Sequence, residues 1–144
     1  YGCPTWGPLS TFVESDFNCL SIIPNNSIFW SNYLNVYHDR KNLNVIKEEN
    51  LKLSFKKFNG AVLGLILILD HLENPFLFLK RFLDSGVKAI ALIVEKTEIK
   101  KGLPIQHLTG WNKKSLIHLS KSLNISLKFF NDQHDDYIFA FLEI

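Results

Sequence analysis

Ile66-Leu67-Ile68-Leu69-Asp70-His71-Leu72-Glu73-Asn74-Pro75 decides the fold: an apolar run stops abruptly on an acid and a histidine, and a helix start follows at once. The run reaches back to Ala61, with Phe58 just before it. A continuous apolar stretch from Ala61 to Leu69 is what a central parallel strand, buried on both faces, requires. It is too short to span a bilayer and ends in charged groups, so a buried strand explains it better than a membrane helix. Asp70 and His71 then sit at the strand's carboxyl end, where open α/β sheets place their ligand crevices. Downstream, Asn74 is placed to cap a helix whose first residue, Pro75, gives up an N–H that has no helical partner anyway. Phe76, Leu79, Phe82 and Leu83 form its apolar stripe, and Gly86 ends it.

The rest of the chain alternates strand and helix around this unit. Tyr1-Gly2-Cys3-Pro4-Thr5-Trp6-Gly7 reads as a glycine-bearing turn, and Pro8 with Leu9, Phe12 and Val13 as the helix after it. Phe17 to Ile23 is expected as a strand. Ser27 is expected to cap a helix carrying Ile28, Phe29, Trp30, Tyr33 and Leu34, and Asn35 to His38 to form a short third strand. The polar stretch from Asp39 to Lys57 reads as a loop with a short helix. Lys88 to Val94 forms the next strand. After a loop through Gly102 and Pro104, Asn112 caps a helix with Leu116, Leu119 and Leu123 at helical spacing. Ser126 to Phe130 and Tyr137 to Leu142 close the order as an antiparallel pair around the polar turn from Asn131 to Asp136. A glycine turn at one strand end and Asp70-His71 at another suggest a nucleotide-type ligand.

Composition narrows the classes. With 144 residues, 47% of them hydrophobic and 12 of them Phe, the chain has the material of a single packed domain covering residues 1–144. The net charge of +2 comes from lysines interleaved with acids, as in Lys47-Glu48-Glu49, so no nucleic-acid partner is expected. No membrane association and no targeting segment are read either. Cys3 and Cys19 lack a CxxC spacing, which makes neither a metal site nor a disulfide framework and points to a reducing cytoplasm. The chain contains no Met and opens on Tyr1, as a fragment, a processed product or a sequence lacking its start would.

Several segments, in order, resemble the class I S-adenosylmethionine-dependent methyltransferases. Leu69-Asp70-His71-Leu72-Glu73-Asn74-Pro75 is similar to the family's LEHxxxP segment. Asp84-Ser85-Gly86-Val87 followed by Ala89 to Val94 resembles its kpGG turn and fifth strand, and His107 to Ser115 its segment before the next large helix. The resemblance implies a Rossmann-like α/β fold: a mostly parallel sheet with helices on both faces and an antiparallel last strand. The first strand, which would precede Gly2, is expected to be missing or truncated. It implies S-adenosylmethionine as cofactor, S-adenosylhomocysteine as product, and a small-molecule acceptor. Gly2, Cys3, Gly7, Ile23, Asp70 and Leu72 are the cofactor-side positions. The chain departs from the family at Pro4 and Trp6, where glycine is usual, and at Ile23, where an acid usually meets the ribose hydroxyls. Those departures support an alternative, a catalytically degenerate binding or scaffold domain with a protein partner.

His71 is the candidate general base, an imidazole at a strand end being suited to take a proton from a hydroxyl, amine or carbon acid; the plainer reading is a histidine packed beside the glycine turn. His107 and Trp111 are candidate acceptor contacts on a loop, although Trp111 also suits pinning the following helix to the sheet. Cys3, with no base nearby in sequence, reads as a small packed residue and not as a nucleophile. His134 with Asp132, Asp135 and Asp136 resembles a metal cluster by residue type but sits in a polar turn, so a solvated hairpin tip is expected. No metal is required by the resemblance.

Overall fold

Two short parallel strands and a separate four-stranded mixed sheet make up the framework of the computed structural model, which describes residues 18–23, 41, 43–47, 58–97 and 107–144. They fall into two compact units, Tyr1–Lys52 and Leu53–Ile144. In the first, strand β1 (Cys19–Ile23) pairs in parallel with β2 (Leu43–Lys47), with Cys19 opposite Leu43 and Ile23 opposite Lys47. β2 corrects the reading of 39–57 as a loop and a short helix. The stretch Leu43-Asn44-Val45-Ile46-Lys47 holds two β-branched residues in a five-residue run, and pairing with β1 supplies what so short a segment lacks alone. Partial burial pushes the Cys19 thiol upward from its ordinary range. The glycine turn, the helices expected after Pro8 and Ser27, and the strand expected at 35–38 all lie outside the described residues.

In the second unit, β3 (Val62–Ile66) pairs in parallel with β4 (Ala89–Glu95). β6 (Tyr137–Glu143) lies antiparallel beside β4, and β5 (Ser126–Asn131) antiparallel beside β6, giving the order β3-β4-β6-β5. The expected terminal strand pair is present, with a register irregularity between Leu127 and Phe129. The register puts Leu63 and Leu65, Ile90 and Leu92, and Leu142 and Ala140 side by side, and all six are buried. These residues therefore share one face of the sheet, the alternation that a pleated strand imposes. Truncating one of them, Leu65 for example, is expected to cost about 2–5 kcal/mol through lost burial and a residual cavity.

The strand read from 61 to 69 needs correcting in length, burial and position. It is only five residues long, and its burial alternates instead of being complete, with Val62 exposed. Among the described strands it stands at the end of the order, while β4 occupies the interior. Leu67 donates its N–H to the Ile93 carbonyl at 2.8 Å, yet its φ of 53° turns the chain out of the sheet. The remaining apolar residues of the run pass into a single 3-10 turn, Leu69–His71, in which Leu69 is fully buried.

Helix α1 (Pro75–Asp84) starts as the sequence indicates: Asn74 Oδ1 accepts the Leu77 N–H at 2.9 Å, with Pro75 at the first position. Leu79 and Phe82 form its buried stripe, and Phe82 meets the rings of Phe78 and Phe58 at 5.1 and 6.1 Å. Gly86 ends it at φ 99°, a left-handed conformation that a Cβ disfavours. Helix α2 (Lys113–Ser122) opens on a capping box between Asn112 and Ser115 and buries Leu116 and Leu119. No described helix is long and apolar enough to cross a membrane.

Candidate functional site at the carboxyl ends of β3 and β4

Two parallel strands end side by side here, and the chain returns across them. After β3, the 3-10 turn carries Asp70 inward, to 1% exposure. The Asp70 carbonyl accepts two N–H groups from that returning segment, Leu108 at 2.8 Å and Thr109 at 3.1 Å. Thr109 Oγ1 donates to the Leu69 carbonyl at 3.1 Å and accepts the indole N–H of Trp111, also at 3.1 Å. The Trp111 backbone is held in turn by Thr97, whose Oγ1 accepts the Trp111 N–H and whose own N–H donates to the Trp111 carbonyl, each at 3.1 Å. Residues 107–111 are thereby tied to the ends of both strands.

These ties set His107 against Asp70. His107 Nε2 lies 3.2 Å from Asp70 Oδ2 and 3.4 Å from Oε2 of Glu95, the last residue of β4. His71 Nε2 is 3.9 Å from the same Asp70 oxygen, and the two imidazole rings meet edge to face at 4.8 Å. Burial grades across the group. The side chains of Asp70 and His107 are 2% and 8% exposed, those of His71 and Glu95 39% and 43%. Neither Asp70 carboxylate oxygen, nor His107 Nδ1, receives or makes a hydrogen bond among the described residues. A buried carboxylate without hydrogen bonds costs several kcal/mol unless a cation compensates it. Two imidazoles and two carboxylates can move a proton or hold a cation.

Among the expected site residues, the structure therefore gathers Asp70, His71 and His107. Leu72 follows directly, half-buried and extended at φ −82°, ψ 132°. Trp111 is 6% exposed and its single donor is used within the chain, the geometry of a residue that pins the segment. Ile23 ends β1, and its side chain, like Gly2, Cys3, Gly7, Pro4 and Trp6, is outside the described residues. His134 stays in the hairpin turn, where its Nδ1 accepts the Asp136 N–H at 3.1 Å and its ring lies tilted against that of Tyr137 at 4.9 Å. Sequence reasoning missed Glu95 and Thr109. Glu95 is an acid closing an apolar strand, the same signal that singled out Asp70.

No family model matches the chain, and no curated protein does. Solved structures do. A SAM-dependent methyltransferase from Aquifex aeolicus superposes with a TM-score of 0.61 at 16% identity, over 85% of this chain and 68% of that one. The 1,6-didemethyltoxoflavin-N1-methyltransferase of Burkholderia thailandensis, solved with bound 1,6-didemethyltoxoflavin and S-adenosylhomocysteine, gives 0.66 at 13% identity over 93% and 64%. The fold is that of the class I methyltransferases. A Pnkp1/Rnl/Hen1 RNA repair complex also matches, at 0.55 and 10% identity, over 94% of this chain and 40% of that one. The chain thus spans about two thirds of the length of the two methyltransferases.

Proposed function

We propose that this chain is the core of an S-adenosylmethionine-dependent methyltransferase acting on a small-molecule acceptor. The observation that carries the reading is the polar cluster of Asp70, His71 and His107 at the carboxyl ends of two parallel strands, in a fold shared with methyltransferases. Asp70 and Leu72 are the described positions that the family resemblance assigns to the cofactor; Gly2, Cys3, Gly7 and Ile23 are assigned to it by the same resemblance alone. When bound, the cofactor supplies an electrophilic methyl group whose leaving sulfur keeps the electron pair. The protein's part is alignment and proton removal. His71, the more exposed imidazole, is placed to take the proton of the acceptor's nucleophile, and His107 to contact the acceptor. The modest net charge of +2 supports a small acceptor over a nucleic acid, and two cysteines without a CxxC spacing support a cytoplasmic setting.

Calorimetry with S-adenosylhomocysteine on the wild-type chain tests the reading. Binding is expected, and Ile23→Asp is expected to strengthen it about tenfold by giving the ribose hydroxyls an acceptor. Absence of heat at millimolar cofactor, with the protein shown to be folded, overturns methyl transfer and leaves the scaffold reading.

A further inference from the structure

We infer that Asp70, His71 and His107, with Glu95 beside them, form a binding site for a divalent first-row transition-metal cation. Three observations converge on it. The ligand atoms of Asp70, His71 and His107 all lie within 4.8 Å of one another. In a site with bonds of about 2.1 Å, neighbouring ligand atoms stand about 3.0–3.4 Å apart and opposite ones about 4.2 Å. The separations of 3.2, 3.4 and 3.9 Å around Asp70 Oδ2 and His107 Nε2 fall in that span.

Hydrogen bonding supplies the second observation. His107 Nε2 faces two carboxylates, yet it carries at most one proton, which can serve only one of them. Both oxygens of the 2% exposed Asp70 side chain lack a hydrogen-bond partner among the described residues. A cation between them satisfies both carboxylates and the imidazole lone pairs together, which no placement of a single proton does.

The third observation is access. His71 and Glu95 are the exposed members, so the cluster opens on their side and closes on the side of Asp70 and His107, as an entry path requires. Two imidazoles with carboxylates favour zinc, cobalt, nickel or manganese over the all-oxygen preference of magnesium and calcium.

The site's existence does not depend on methyl transfer. If both hold, the cation lowers the pKa of an acceptor hydroxyl bound to it, and His71 is a ligand instead of a base.

Cobalt(II), whose visible bands report the coordination sphere, is titrated into the full 144-residue chain without cofactor or acceptor. One site per chain is expected, together with a cobalt-dependent rise in melting temperature. His71→Gln, His107→Gln and Asp70→Asn are each expected to weaken binding by about tenfold to hundredfold or more, while His134→Gln in the hairpin turn leaves it unchanged. His71→Gln alters an exposed side chain and so keeps the test valid if the buried variants misfold. Retention of wild-type affinity in folded His71→Gln and His107→Gln overturns the site, as does absence of saturable binding by folded wild type at millimolar cobalt. Magnesium is expected to bind at least about a hundredfold more weakly; equal affinity overturns the nitrogen-ligand assignment.

Discussion

The hydroxyl of Thr109 links the returning segment to the strand ends, and Thr109→Val tests how much that link contributes. Valine keeps the shape but removes a group that donates to the Leu69 carbonyl and accepts the Trp111 indole N–H, both at 3.1 Å. The Leu69 bond has a net value of about 1 kcal/mol, and leaving the buried indole donor unpaired costs about 1–3 kcal/mol. With Trp111 only 6% exposed, the indole has little water to turn to, so a loss of about 2–4 kcal/mol is expected. Trp111→Phe removes the donor and part of the packing. In that background Thr109→Val forfeits only the Leu69 bond, about 1 kcal/mol. The double-mutant cycle should therefore return a coupling of about 1–3 kcal/mol, the part belonging to the indole bond. Urea unfolding of the four proteins, followed by far-ultraviolet circular dichroism so that the indole substitution does not alter the probe, measures it. A coupling below about 0.3 kcal/mol with unchanged m-values would refute the argument that this bond holds the segment in place.

Asn74→Ala should destabilise the protein by about 1 kcal/mol, because the Asn74 side chain is the acceptor for the Leu77 N–H and little else changes at an exposed position; Asn74→Ser should recover most of the loss in the same urea assay. Gly86→Ala should cost about 1 kcal/mol or more, since the residue sits at φ 99°, and thermal unfolding that shows no loss would contradict that backbone assignment.

What could be read from the sequence divides along the range of the interactions. Helix α1 was legible because its start and stop signals, Asn74-Pro75 and Gly86, act within a dozen residues of the chain they delimit. β2 was not, because Leu43–Lys47 becomes a strand through its pairing with Cys19–Ile23, about twenty residues upstream. The end of β3 was misplaced for a different reason. Ile68 and Leu69 are as apolar as the strand before them, and hydrophobicity alone does not distinguish a buried strand residue from a buried residue of a 3-10 turn. Only the positive φ at Leu67 marks the change, and leucine gives no sign of it in sequence.

The same division runs through the candidate site. Asp70 and His71 declared themselves by following an apolar run, whereas the approach of His107 to Asp70 and Glu95 is created by backbone hydrogen bonds far apart in the chain. Those bonds are directed at the Asp70 carbonyl, not at its side chain. The Leu108 and Thr109 N–H groups and the adjoining Leu69–Thr109 bond hold the residue's position whatever its carboxylate does. A structural aspartate buried this deeply would be expected to receive hydrogen bonds at its oxygens, and these receive none among the described residues. The backbone thus secures the turn while the carboxylate is left facing two imidazoles. That arrangement costs stability unless a cation or a transferable proton occupies it, and the cost points to a chemical role for the side chain at the end of this strand.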